Sequence, residues 1–171
     1  SLDLFLGDVT GHGPGAAIMT AVMASSYRLL RVLSPELGMQ KILETLGKNL
    51  REIAQDRYYM TFSAMHVDVN TNKIGWWNAG GPPFFLVDPD TNTARTVSGT
   101  SSPLGASAVD ICHKEADVRP GERIVAFTDG LYGFTTKTGN RFGIKKLQQT
   151  IIDNNTNEKI MSAVKDELGS K

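Results

Sequence analysis

The 171-residue chain has the length of one ordinary domain, and 40% hydrophobic with 21% charged residues is the balance of a globular protein able to bury a core. Eighteen Lys and Arg offset eighteen Asp and Glu, a formal net charge of zero that argues against a nucleic-acid binder. A single cysteine, Cys112, excludes an internal disulfide framework and suits a reducing, cytoplasmic setting, and no stretch reads as a bilayer-spanning segment or a secretion leader.

From the N-terminus, Ser1 to Leu6 reads as a buried strand. It runs into Gly7-Asp8-Val9-Thr10-Gly11-His12-Gly13, and Pro14 then suits the first turn of a helix, where its missing N–H would be unpaired anyway. The Ala-, Met- and Leu-rich segment Ala16 to Leu33 predicts a closely packed helix. Ser34-Pro35-Glu36 reads as the start of the next one, whose stripe is Met39, Ile42, Leu43, Leu46, Leu50 and Ile53. After Arg57 the pattern becomes aromatic and β-branched. Strands are expected over Tyr59–Val69, Ile74–Trp77 and Phe84–Val87, with turns at Asn70-Thr71-Asn72 and Asp88-Pro89-Asp90. Shorter strands are expected over Ala94–Val97 and Val109–His113, and Arg123–Thr128 reads as a strand buried on both faces. Helices over Ile144–Ile152 and Glu158–Leu168 close the chain. Runs of helices and runs of strands in this order predict an α+β fold.

Two aspartates stand at the ends of apolar strands beside glycine: Asp8 in Leu6-Gly7-Asp8-Val9, and Asp129 in Phe127-Thr128-Asp129-Gly130. A strand is a rigid mount, and two carboxylates that converge repel each other unless a cation lies between them. Hard divalent ions such as Mn²⁺ or Mg²⁺ prefer these oxygens and can activate a water for attack on phosphorus. Ordinary turn chemistry is the competing reading of each Asp-Gly site. His12 has the ionisation range of a general acid, but bracing of its Gly-rich turn is the alternative. Gly11-His12-Gly13-Pro14-Gly15 before a helix could contact a phosphate, although it lacks the Lys-Ser/Thr pair of a nucleotide P-loop.

Five segments, in order, carry a resemblance. Gly7-Asp8-Val9-Thr10-Gly11-His12-Gly13, Asn78-Ala79-Gly80-Gly81-Pro82-Pro83, Ser102-Pro103-Leu104-Gly105, Arg123 to Leu131 with its Thr128-Asp129-Gly130, and Arg141-Phe142-Gly143 resemble the motifs of the SpoIIE-like (RsbU-type) branch of the metal-dependent protein phosphatase 2C superfamily. The resemblance implies an α-β-β-α sandwich, formed by 1–171 as a single domain incomplete at both ends. It implies two Mn²⁺ or Mg²⁺ ions held by Asp8, the Val9 carbonyl and Asp129, with Asp8, Asp129 and His12 as catalytic candidates. Gly11, Gly13 and Gly130 are then candidates for contact with the substrate phosphate. The substrate implied is phosphoserine or phosphothreonine on a regulatory protein such as an anti-anti-sigma factor, with a sensor or receiver domain in a longer chain.

Departures from the family pattern accompany the match. The acidic motif expected upstream and the Asp-Asp strand expected downstream are not in this sequence, and Gly81 stands where the family often has His. A non-catalytic phosphoprotein-binding or sensor module of the same fold is therefore the rival reading, and a nucleotide-binding protein a third. Cys112 is expected to be an inert strand thiol, since the segment from it to Arg119 lacks the glycines of a thiol-phosphatase loop. Of the adjacent Trp76 and Trp77, one should face the core. The helices beginning at Pro14 offer a switch or dimer surface, so a homodimer is one assembly they could form.

Overall fold

The structure is a computed structural model that describes residues 1–107 and 110–168. Its elements in chain order are β1 (Leu2–Val9), α1 (Pro14–Leu33), α2 (Met39–Ala54), β2 (Met60–Asp68), β3 (Lys73–Ala79), β4 (Phe84–Asp88), β5 (Thr93–Val97), β6 (Cys112–Asp117), β7 (Arg123–Val125), α3 (Gly143–Asp153) and α4 (Asn157–Glu167). They divide into two compact units, Ser1–Gly81 with Gly99–Asp117, and Pro82–Ser98 with Val118–Lys171.

The first unit holds the antiparallel sheet β1-β2-β3-β6 and helices α1 and α2. Alternation along the strands sends Phe62, Ala64 and Ala79 to one face, where they join Ala16 and Met23 of α1 and Ile42, Leu43, Leu46 and Leu50 of α2 in one core cluster. The predicted α2 stripe is thus the buried face, except Ile53, which is 51% exposed. Trp76 is buried as one of the pair should be, and Trp77 is half-buried with its ring stacked on His113, its partner across β3 and β6.

Four expectations for this unit are corrected. β1 is not buried: it is an edge strand of the sheet among the described residues, and Leu2, Leu4 and Phe5 are all exposed. Ser34 does not start α2. Its N–H donates to Leu30 O and it closes α1, because Gly38 begins α2 four residues later. Among the described residues one helix, α1, is long and apolar enough to cross a bilayer, with a mean hydropathy of 1.3 over 18 residues. The same Ala, Met and Leu content that packs α1 against α2 and β1 produces that value, and Ile18, Leu29, Val32 and Leu33 remain exposed on it. The strand expected over Val109–His113 begins instead at Cys112, and Val109 lies outside the described residues.

The second unit is built around β4, which pairs with β5 on one side and β7 on the other. Phe85 and Val87 alternate onto the face that meets Leu147 and Ile151 of α3 and Ile160 and Val164 of α4. Arg123–Thr128 is corrected as well. Only Arg123–Val125 of it is strand, among the described residues it pairs with β4 alone, and Ala126 is exposed before Phe127 turns into the core. Glu122, just before β7, has a side chain only 2% exposed. Arg95 Nη2 donates to both of its oxygens at 3.0 and 2.9 Å, and the Arg119 N–H donates at 2.8 Å, so the buried charge is fully engaged.

Asp68 and Asp88 organise the turns that follow β2 and β4. Asp68 accepts from Thr71 Oγ1 and the Asn70 N–H, and Asp88 from the Asp90 and Thr91 N–H groups. These bonds favour the charged forms and hold both carboxyls below the usual carboxylate range. Because the folded values are depressed, the stabilisation is present above the ordinary carboxylate pKa and is lost as pH falls through the folded values. Thermal unfolding followed from neutral pH into acid should show this loss, and Asp68→Asn with Asp88→Asn should flatten it. An unchanged acid slope in the double variant would disprove the assignment.

Candidate functional site

Each sequence-predicted site residue is placed by its own unit. Asp8 and Val9, with Gly11, His12 and Gly13, belong to the first, and Asp129 and Gly130 to the second.

Asp8 is exposed at the C-terminal end of β1, directly across from Thr61 of β2, whose hydroxyl donates to the Asp8 carbonyl at 3.5 Å. The next pair is Val9 and Met60. The Thr10 N–H donates to Tyr59 O at 2.8 Å, so in an antiparallel ladder the Val9–Met60 pair is the non-hydrogen-bonded kind. Met60 therefore turns its own N–H and carbonyl away from β1, and both bond Leu104, at 3.0 and 2.8 Å. By the same alternation the Val9 carbonyl points off the edge of the sheet, while its side chain sits in the core. A carboxylate and an unused carbonyl on consecutive residues are the donor types a hard cation takes.

The loop that follows is tied at its start and left-handed at its glycines. Thr10 Oγ1 accepts from the Tyr59 N–H at 3.0 Å. Gly11 and Gly13 have φ of 92° and 88°, a region that side chains disfavour. Gly13 is the N-cap of α1 and its carbonyl accepts the Ala17 N–H, while Pro14 occupies the first turn as expected. His12 is exposed between the two glycines.

Two further motifs converge on the same end of this sheet. Gly80 has φ of 69°, its N–H donates to Ser101 Oγ, and a Cβ there would lie 2.7 Å from Pro103 N. Gly81 is held by a buried side chain: Asn78 Oδ1 accepts its N–H at 3.0 Å and Asn78 Nδ2 donates to its carbonyl at 2.9 Å. Ser63, on the same sheet face as Asp8, donates to Asn78 Oδ1 at 3.2 Å. A Cβ at Gly81 would lie 2.7 Å from Asn78 Oδ1, so a larger residue there would require the Asn78 side chain to shift.

In the second unit Asp129 opens a 3-10 turn, Asp129–Leu131, with its side chain exposed. Its carbonyl accepts from the Tyr132 and Gly133 N–H groups at 3.0 and 2.6 Å. The Gly143 N–H donates to Tyr132 O, so the segment Arg141-Phe142-Gly143 is bonded to the turn that carries Asp129. Burial raises the Tyr132 phenol, and the nearby Asp129 charge raises it further.

Among the described residues no three His, Cys, Asp or Glu side chains group as a metal-holding cluster. Asp8 and Val9 fit part of a cation shell that water would complete, as Mg²⁺ in particular prefers. Thr61, Ser63 and Asn78 are the neighbours that sequence reasoning missed. Asn78 stood in a family-like segment with no role given to it, and the signal for Thr61 and Ser63 was period-2 alternation, which places a residue on a face but not beside a particular partner.

Comparison with known proteins follows the same lines. The family model described as Stage II sporulation protein E (SpoIIE) matches residues 1–171. Phosphoserine phosphatase RsbP of Bacillus subtilis (strain 168) is 26% identical over 129 residues, covering 72% of this chain. The chain spans about a third of the curated relatives it matches, 31% of RsbP and 30% of protein IcfG of Synechocystis sp.. The SiaA-PP2C domain of Pseudomonas aeruginosa superposes with a TM-score of 0.84 at 17% identity, over 98% of this chain and 70% of that one. The PP2C phosphatase domain of SpoIIE from Bacillus subtilis, solved with a fragment of its regulatory domain, gives 0.78 at 15% identity, over 95% and 48%. At these identities the likeness shows the fold, and the expected phosphatase 2C-like α+β architecture is borne out.

Proposed function

Since the chain belongs to the SpoIIE family, whose model spans all 171 residues, we propose that it is a metal-dependent Ser/Thr protein phosphatase domain within a regulatory protein. The observation that carries this reading is the end of β1, where an exposed Asp8 carboxylate stands beside a Val9 carbonyl that the sheet does not use. Three of the family-like segments meet there through Met60, Leu104 and Gly80.

Asp8 and the Val9 carbonyl would hold Mn²⁺ or Mg²⁺ in the first unit, and Asp129 is a separate candidate carboxylate ligand in the second. When bound, such an ion polarises phosphoryl oxygens and activates water. The chain's own residues bind and orient. Gly11 and Gly13 add no side chains of their own beside the α1 N-terminus, where N–H groups without helical partners suit a phosphate, and Gly130 adds none beside Asp129. The substrate proposed is a phosphorylated regulatory protein of the anti-anti-sigma type; a relative named a phosphoserine phosphatase supports the phosphoserine part of that reading. A cytoplasmic location and a sensor or receiver domain in the same polypeptide belong to this reading.

The deciding experiment is hydrolysis of p-nitrophenyl phosphate and of a phosphoserine protein by the full-length protein. Turnover that requires Mn²⁺ and is abolished by a chelator is the expected result. The absence of a three-ligand cluster among the described residues favours the second reading, a phosphoprotein-binding module. Saturable binding of the phosphoprotein with no release of phosphate at any Mn²⁺ concentration would establish that reading instead.

In this reading His12 is the proton donor to the leaving oxygen. Positioned acids contribute about 10²–10⁴ in rate, and a serine alkoxide needs the proton far more than a phenolate does. His12→Ala should therefore lower kcat on phosphoserine by about a hundredfold and leave p-nitrophenyl phosphate hydrolysis nearly unchanged. Equal effects on the two substrates would remove His12 from proton transfer and return it to bracing the turn.

A further inference from the structure

The buried pair Asn78 and Ser63 lies outside every role assigned so far. Asn78 is 1% exposed, and its amide makes three bonds: it receives from Ser63 and closes both ends of the Gly81 peptide. A buried side-chain amide satisfied in this way fixes backbone rather than merely filling space. The backbone it fixes, Gly80–Gly81, is pressed against Pro103: a Cβ at Gly80 would lie 2.7 Å from Pro103 N and 2.8 Å from its Cα. The next residue, Leu104, makes both backbone bonds to Met60, and Met60 is the cross-strand neighbour of Val9. A continuous line of short contacts therefore runs from Asn78 to the residue whose carbonyl leaves the sheet edge beside Asp8.

We propose that Asn78, oriented by Ser63, is a positioning residue for the cation site: it locks the Gly80–Gly81 turn against Pro103 and so holds Met60, Val9 and Asp8 in register. The proposal rests on the reading that Asp8 and Val9 hold a divalent ion. Outer partners of ligating groups typically govern about 10–100-fold of metal affinity, because a ligand that wanders costs the ion its geometry.

Asn78→Asp is the informative substitution. It keeps the acceptor for Ser63 and for the Gly81 N–H, and replaces the donor to the Gly81 carbonyl with a repelling oxygen. The measurements are amide hydrogen exchange at Gly81, Leu104 and Met60 and, by calorimetry on the full-length protein, binding of Mn²⁺ alone. The expected result is faster exchange at all three amides and Mn²⁺ binding weakened about tenfold or more. Should Asn78→Asp not fold, Ser63→Ala removes one bond only and should give the same pattern with a smaller, several-fold loss. Faster exchange at Gly81 with unchanged exchange at Leu104 and Met60 overturns the proposal whether or not metal binds. Wild-type Mn²⁺ affinity in a variant with all three amides loosened overturns it too. A wild-type protein that binds no Mn²⁺ refutes the metal reading itself, and with it the proposal's functional half.

Discussion

Asp8→Asn is expected to lower Mn²⁺-dependent kcat/KM on p-nitrophenyl phosphate by about 10²–10³ while leaving the protein folded, since a metal contributes several kcal/mol of charge stabilisation in such chemistry. The substitution is nearly isosteric and exchanges a charged oxygen donor for a neutral one. Asp8 is exposed at the last part of an edge strand, and substitutions at such places usually change stability by no more than about 0.5 kcal/mol. Activity and thermal unfolding should therefore separate cleanly: a large loss in the first with almost none in the second. A weaker requirement for the metal should accompany the loss, visible as a shift of the Mn²⁺ titration to higher concentration. Turnover at the wild-type rate, at wild-type Mn²⁺ dependence, would show that this carboxylate holds no ion needed for the reaction.

Gly80→Ala is expected to have the largest effect on folding, a loss of about 2–4 kcal/mol read from urea denaturation. Two costs add. The φ of 69° is left-handed, which a Cβ penalises, and that same Cβ would lie within 3 Å of Pro103 N, Cα and Cβ. The obstacle is backbone rather than the far end of a flexible side chain, so relief requires the Pro103–Leu104 segment to move. That segment carries the paired bonds between Leu104 and Met60, and their loss would spread into the start of β2. Gly11→Ala is the control: it shares the left-handed φ, at 92°, but an added Cβ there meets nothing within 4 Å, so its cost should be limited to about 1–2 kcal/mol. Equal losses in the two variants would show that conformation, and not the approach of Pro103, sets the requirement for glycine at position 80.

Much of this protein was legible before any coordinates. The α2 stripe from Ile42 to Leu50 obeys a period that only a helix with one buried face satisfies, and aromatic and β-branched content marked the strands from Tyr59 to Val87, although Phe62–Met65 and Phe84–Val87 are buried in runs rather than in alternation. Pro14 at the start of α1 follows from a missing N–H. The strand errors share one cause, which is that hydrophobicity reports affinity for a core but not position in a sheet. Leu2, Leu4 and Phe5 are as apolar as any buried strand, yet β1 is an edge, and Ile124 to Phe127 read as central although β7 pairs on one side only. Ser34, likewise, has the chemistry of either helix end, and its place was decided by where Gly38 begins α2.

For the candidate site, the amino-acid order alone determined which residues carry the chemistry: Asp8 and Asp129 at strand ends, His12 among glycines, and five segments in one family's sequence. Tertiary structure alone decided their neighbours. Antiparallel register put Thr61 beside Asp8 and turned the Val9 carbonyl off the sheet edge. Folding of residues far apart in the chain brought Asn78, Gly80 and Pro103 to the strand that holds it. The division has a physical reason. Chemistry and local conformation are properties of a residue and its near neighbours, whereas hydrogen-bond phase and close approach depend on which strands pair, and in which register, across tens of residues.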